Sequence, residues 1–138
     1  MKDSFESFVN KINYLHSENG CLWDKQQTIE SMKKHIIEET EEVVQAIDKK
    51  DYDNLKEELG DLLLDILHVC VIAEKNKLFD VKSVLNEIEK KIVRRHPHVF
   101  GDKKFSSVEE IERHWKIIKE EERKLKQQEQ EEKLKNKS

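Results

Sequence analysis

The chain is short of the residues that interrupt helices. Across 138 residues it has three glycines and one proline, too few to turn an all-β chain as often as such folds demand, so long helices are the natural reading. Cysteine is nearly as scarce. Cys21 and Cys70 stand far apart with no CxxC or Cys/His spacing. That excludes a familiar zinc pattern, fits a reducing compartment, and leaves Cys70 as a small core residue. No apolar run reaches the ~18 residues of a membrane helix, and the opening "MKDSFESFVNKINYL" lacks the apolar core of a signal peptide. The expectation is a cytoplasmic chain with no membrane partner. A basic surplus is missing too: the net charge of −4 argues against a general nucleic-acid binder, whose affinity rests on basic surface. The apolar class is 36% of the chain against 41% charged. One domain fits that length, with a core that is narrow or shared with a second subunit.

What the chain does have is helical periodicity. Phe5, Phe8, Val9, Ile12 and Leu15 recur at helical spacing within residues 3–17. "ENGCLWDKQQ" reads as a loop, after which Thr28 is placed to cap a helix running to about Lys49. "KKDYDN" is a turn, and a third helix is expected from about Leu55 to Lys75. "NKLFD" breaks it, and Val81 to Val93 is helical again. His96 precedes the proline and Gly101 follows, so "RRHPHVFGDKKF" reads as irregular. Ser107 and Glu110 make a capping box for a last helix. From Glu120 onward the chain is almost wholly Glu, Lys, Gln and Arg, without the a/d pattern of a coiled coil. Residues 1–120 are therefore read as the domain and 121–138 as a charged, solvated helical or disordered tail.

Within this pattern the carboxylates are out of place. In "HIIEETEEVVQAI" (35–47) four glutamates interrupt what is otherwise a core helix. At 100° per residue, Ile29, Met32, Ile36, Val43 and Ile47 form one apolar face. Glu39 falls inside it, Glu42 at its edge, Glu38 farther round, and Glu41 towards solvent. The next helix repeats the anomaly. "LKEELGDLLLDILHVCVIA" is apolar nearly all round after Leu62, yet Glu58 and Asp61 stand at i, i+3 and Asp65 continues their row. A buried, unpaired carboxylate is costly and normally stays protonated. The economical compensator is a hard divalent cation with oxygen ligands, Mg²⁺ or Mn²⁺. One i, i+3 acidic pair is ordinary on a charged helix, whereas two on adjacent antiparallel helices, both intruding on apolar faces, are not. Gly60 lies between them. A mid-helix glycine costs roughly 1 kcal/mol against alanine, which points to close helix packing or to room for a ligand. Asp65-Ile-Leu-His68 offers a rival, the carboxylate–x–x–His spacing of di-iron bundles. No second copy exists, and His68 is read as a hydrogen-bonded core or interface histidine.

Five motifs then fall in order: "NGCLWDKQQT" (19–28), "EETEEV" (38–43), "EELGDLL" (57–63), "FD" (79–80) and "RRHPHVFGD" (94–102). Together they resemble the MazG family of all-α nucleoside triphosphate pyrophosphohydrolases, over roughly residues 5 to 120. The resemblance implies an all-α helical bundle completed by dimerisation. It also implies Mg²⁺-dependent hydrolysis of a nucleoside triphosphate to the monophosphate and pyrophosphate, with Mn²⁺ as a substitute. In the family the metal is held by the second and third glutamates of EExxE and both acids of ExxD. Here those positions are Glu39, Glu42, Glu58 and Asp61, with Glu38 as a helper or water-orienting base. By motif position Lys91, Arg95, Trp115 and Lys119 surround the nucleotide, and Trp23 and Lys25 are a second base- or phosphate-contacting pair. Leu22 stands where the family usually has proline, which bears on the loop's rigidity and on base selectivity. The implied partners are a nucleoside triphosphate and a second copy of the chain, and the implied role is housecleaning or control of nucleotide pools. Two other readings compete: a non-catalytic interaction or stress-response adaptor using the acidic face and tail, and the di-iron bundle.

Overall fold

A computed structural model describes residues 1–137, and Ser138, the last residue of the expected tail, lies outside them. Seven helices are present among the described residues: α1 (Lys2–Leu15), α2 (Leu22–Gln26), α3 (Ile29–Asp48), α4 (Tyr52–Lys75), α5 (Val81–Arg95), α6 (Pro97–Phe100) and α7 (Val108–Asn136). The all-α class is as expected. Two short helices lie where the sequence reads as loop. In α2 five residues sit between extended Cys21 and Gln27, too few for any periodicity to register. Helix α6 begins at Pro97, where a missing N–H costs nothing and the fixed φ suits a first turn. Helix α4 also starts earlier than expected, because the Asp51 side chain accepts from the Asn54 amide at 3.2 Å. None of these helices is long and apolar enough to cross a membrane.

The helix ends explain how the central pair is set. Thr28 caps α3 by accepting from Ser31 N at 3.0 Å, and Ser31 Oγ accepts from Thr28 N at 2.9 Å. At the other end Lys50 takes a left-handed conformation (φ 55°). Its amide donates to Ile47 O and the Asp51 amide to Ala46 O, the paired bonds of a Schellman stop. Lys77 (φ 59°) ends α4 in the same way, with Lys77 N to Glu74 O and Leu78 N to Ala73 O. Lysine occupies both positions where glycine is the usual solution. The expected capping box at Ser107 is only half present. Ser107 Oγ accepts from Glu110 N at 3.3 Å, but the Glu110 carboxylate turns to Ser106 N and Oγ, both at 2.9 Å.

The chain divides into two compact units, Met1–Leu85 and the residues from Asn86 onward. In the first, the short 49–51 link returns α4 antiparallel along α3, and α1 packs on α4. Ile12, Leu67 and Val71 form its core with Phe5, Phe8, Val9, Leu64 and Val81 against them. Met32, Ala46 and Cys70 are also buried. The core is narrow, in keeping with the low apolar share. Ile37, Val44 and Ile47 on α3, and Leu59, Leu63 and Ile66 on α4, remain exposed. In the second unit Ile118 is the buried apolar side chain of α7. The stretch read as tail continues α7 as helix, exposed from Arg123 to Lys137, but Glu122 is half-buried and paired.

Candidate metal centre

The α3–α4 hairpin brings together carboxylates far apart in sequence. One carboxylate oxygen each from Glu39, Glu58 and Asp61 lies within 4.8 Å of the other two, and all three residues are half-buried. Glu58 and Asp61 share a face of α4 because they are three residues apart. Glu39 meets them from α3, and its Oε2 is buried without a hydrogen-bond partner. A hydrogen bond shared with the Glu39 carboxyl, partial burial, and repulsion from Glu39, Asp61 and Glu42 push Glu58 up to about 7. The cluster therefore holds a proton near neutrality that isolated glutamates would have lost. Three oxygen donors, an unpartnered buried oxygen and a proton held against its usual tendency make a donor set that suits a hard divalent cation. No histidine belongs to this group, and its ligand atoms are all carboxylate oxygens.

The remaining acids are spread around this trio. Glu42 is exposed and stands outside the three-oxygen group, acting on Glu58 by charge. Glu38 and Glu41 are exposed. Asp65 is half-buried one turn beyond Asp61, with a buried, unpartnered Oδ2, and burial pushes its carboxyl up. Of the two readings of Gly60, close helix packing is ruled out, because a Cβ there would meet nothing within 4 Å. Trp23, 50% exposed, turns its ring edge-on to His35 at 5.6 Å between centroids, and His35 lies one turn before Glu39 on α3. Lys25 Nζ donates to Glu18 O at 3.0 Å.

The second unit carries the other expected substrate residues. Arg95 makes a two-pronged contact with Glu122, at 3.3 Å through Nε and 2.9 Å through Nη2, and Arg94 Nε reaches the same carboxylate at 2.8 Å. These hydrogen bonds, from Arg95 first and then Arg94, draw Glu122 down to about 2. The Trp115 indole N–H donates to Arg95 O at 2.7 Å, and its ring meets His96 edge-on at 5.6 Å. Lys91 lines a groove with Arg94, Pro97, His114 and Leu125. Lys119 is exposed. Arg95 and Trp115 are thus held together, with the guanidinium already engaged. Sequence reasoning missed Glu122, one glutamate in a charged run, and Asp24, a buried acid in a stretch read as loop. It did place His68 correctly among the hydrogen-bonded core residues, 2.9 Å from His16.

Comparison with known proteins adds to this geometry. The family described as "MazG nucleotide pyrophosphohydrolase domain" matches residues 27–100. A Thermotoga maritima protein named nucleoside triphosphate pyrophosphohydrolase/pyrophosphatase MazG is 46% identical over 98 residues, covering 71% of this chain and 38% of that protein. The Escherichia coli nucleoside triphosphate pyrophosphohydrolase is 42% identical over 111 residues, or 80% of this chain and 42% of that one. The chain thus spans about two fifths of the length of these curated relatives. A crystal structure of a mazG-related protein from Thermotoga maritima superposes with a TM-score of 0.71 at 35% identity, covering 83% of this chain and 98% of that one.

Proposed function

Because the chain belongs to the MazG nucleotide pyrophosphohydrolase family, we propose that it hydrolyses nucleoside triphosphates between the α and β phosphates, giving the monophosphate and pyrophosphate. The observation that carries this reading is the convergence of Glu39, Glu58 and Asp61, with an unpartnered oxygen on Glu39. Together with Glu42 these residues would hold Mg²⁺, or Mn²⁺ in its place. Bound there, the cation supplies neutralisation of phosphate charge and a water of lowered pKa. Glu38 orients the attacking water as base or helper. Lys91, Arg95, Lys119 and Lys25 offset the roughly four negative charges of the triphosphate and the departing pyrophosphate. Trp115 and Trp23 offer flat faces for a base. Arg95 takes up phosphate by exchanging its contact with Glu122, so that carboxylate competes with substrate.

We further propose that residues 1–120 form the catalytic domain and that 121–138 are an appended charged segment. The exposed apolar side chains of α3 and α4 support a homodimer, or an oligomer built on one. A monomer in sedimentation at micromolar concentration would count against it. Housecleaning or pool control in the cytoplasm is the role this chemistry suits. The deciding experiment is a nucleotide panel with Mg²⁺, assayed separately for pyrophosphate and orthophosphate. Pyrophosphate is the expected first product. Orthophosphate first would mean that a different bond is cut, and no release from any nucleotide would favour the adaptor reading.

A further inference from the structure

The first unit buries a second polar cluster that the proposed reaction does not use. Asp24, His68 and His16 are 7%, 4% and 6% exposed, and they come from three different elements. His68 on α4 is central: its Nε2 lies 3.4 Å from Asp24 Oδ1 on α2, and its Nδ1 lies 2.9 Å from Nε2 of His16, the residue that ends α1. The two rings meet edge-on at 5.1 Å. Lys75 Nζ donates to His16 O at 3.3 Å.

His68 Nε2 and Asp24 Oδ1 stand 3.4 Å apart, in ion-pair rather than hydrogen-bond contact, which favours the tautomer with the proton on Nε2; His68 Nδ1 then accepts from His16 Nε2. His16 Nδ1 is then a bare lone pair, and that atom is buried without a partner. One added proton spoils the arrangement. Carried by either ring, it leaves a buried N–H at His16 Nδ1 with nothing to receive it, which costs more than an idle lone pair. The charged groups facing the chain are Asp24 on α2 and Lys75 and Asp65 on α4. His35 and Glu38 on α3 act through Asp65. Burial first, then His68 and Lys75, push His16 down against the pull of Asp24, and burial pushes His68 down against Asp24 and Asp65.

The position of Asp24 gives this chain a use. Helix α2 has five residues and no side-chain cap, and its one buried side chain is Asp24. A helix that short does not hold itself. Leu22 and Trp23 are 74% and 50% exposed, so no apolar anchor ties it down either. Exposed hydrogen bonds hold its surface, Lys25 Nζ to Glu18 O and Gln27 Nε2 to Trp23 O, and the buried contact of Asp24 with His68 is what ties the residue next to Trp23 into the core. We propose that the buried Asp24–His68–His16 chain is a positioning device for Trp23, holding its ring against His35 and setting how tightly a nucleotide base is gripped. The second half of that statement rests on the function proposed above, while the first does not.

The test reads the indole N–H signals of Trp23 and Trp115 by ¹H–¹⁵N correlation, assigned with Trp23→Phe and Trp115→Phe, beside steady-state kinetics. In Asp24→Ala the Trp23 signal is expected to shift and broaden while Trp115 stays in place. KM should rise about tenfold, with kcat changed much less. Asp24→Asn keeps the shape and an acceptor oxygen, and should recover most of both. In the unaltered protein the Trp23 signal should move as pH falls below the ordinary imidazole value of ~6.5. Trp23 signals matching the unaltered protein in both variants overturn the proposal, as does an Asp24→Ala KM within a factor of two. If Asp24→Ala does not fold, the pH titration decides, and a Trp23 signal indifferent to pH overturns it. Absence of turnover in the unaltered protein would strike the proposed function alone, because the indole signals report positioning without any nucleotide.

Discussion

Glu58 in the first unit and Glu122 in the second are the same residue type treated in opposite ways. Around Glu58 the fold gathers further carboxylates, and its proton is held to about 7. Around Glu122 it sets two guanidiniums, and the proton is gone by about 2. The second unit pairs its carboxylate with guanidiniums of the chain, whereas the first sets carboxylate beside carboxylate. Like charges crowded without relief cost stability, so the contrast marks where the chain gives up stability and where it recovers some.

The strongest way to break the comparison is to remove the crowding. Glu39→Gln or Asp61→Asn should lower turnover by well over ~100-fold, since altering mere outer partners of a metal already costs 10–100-fold. Far-UV circular dichroism should stay unchanged. In the unaltered protein, Mg²⁺ at about a hundred times its dissociation constant should add ~2.7 kcal/mol of stability. Both variants should lose most of that shift in a thermal melt. Unchanged activity in both would remove the assignment of these residues to the centre.

Proton release tests the same cluster by degree. The folded carboxyl of Glu58 holds its proton to about 7 against 4.5 for the ordinary group. A raised carboxyl pKa contributes stability that is full below the unfolded value and lost as pH rises through the folded one. Metal-free protein should therefore lose stability between these two values. Mg²⁺ must displace that proton, so its affinity should climb with pH and level off above about 7, by titration calorimetry. Glu58→Gln should flatten the climb.

In the second unit the matching prediction is smaller. Glu122→Gln frees Arg94 and Arg95, and partly exposed pairs of this kind contribute about 1 kcal/mol or less. The melting temperature should fall slightly while KM for the triphosphate falls about threefold, because ~0.7 kcal/mol of competing contact is gone. A KM that rises instead would remove Arg95 from the substrate side. Last, Gly60→Ala should stabilise slightly, by a few tenths to ~1 kcal/mol in chemical denaturation, since a Cβ there meets nothing within 4 Å.

The long helices and the faces that carry the acidic trio were legible because both are set by spacing along a helix, a local property. The 3.6-residue period put Glu39 on the apolar face of its helix and aligned Glu58 with Asp61 before any contact was known. The same period put Glu42 at the edge, and the structure leaves it outside the trio. What stayed hidden depends on distant partners. His16 and His68 are 52 positions apart, and Arg95 meets Glu122 across 27. Neither lone histidines nor one glutamate in a charged run announces such a partner. Helix α2 was hidden differently, being shorter than the pattern that would reveal it.

The stop at Lys50 also acts as a ruler. Helix α3 is ended there by backbone geometry and α4 restarts at Tyr52, so the phase of one helix against the other is counted out by three residues. A single extra residue carried into α4 ahead of Glu58 would turn that helix by ~100° about its own axis. It would swing Glu58 and Asp61 away from Glu39 without touching a single ligand. An exposed connection can thus be strict in length.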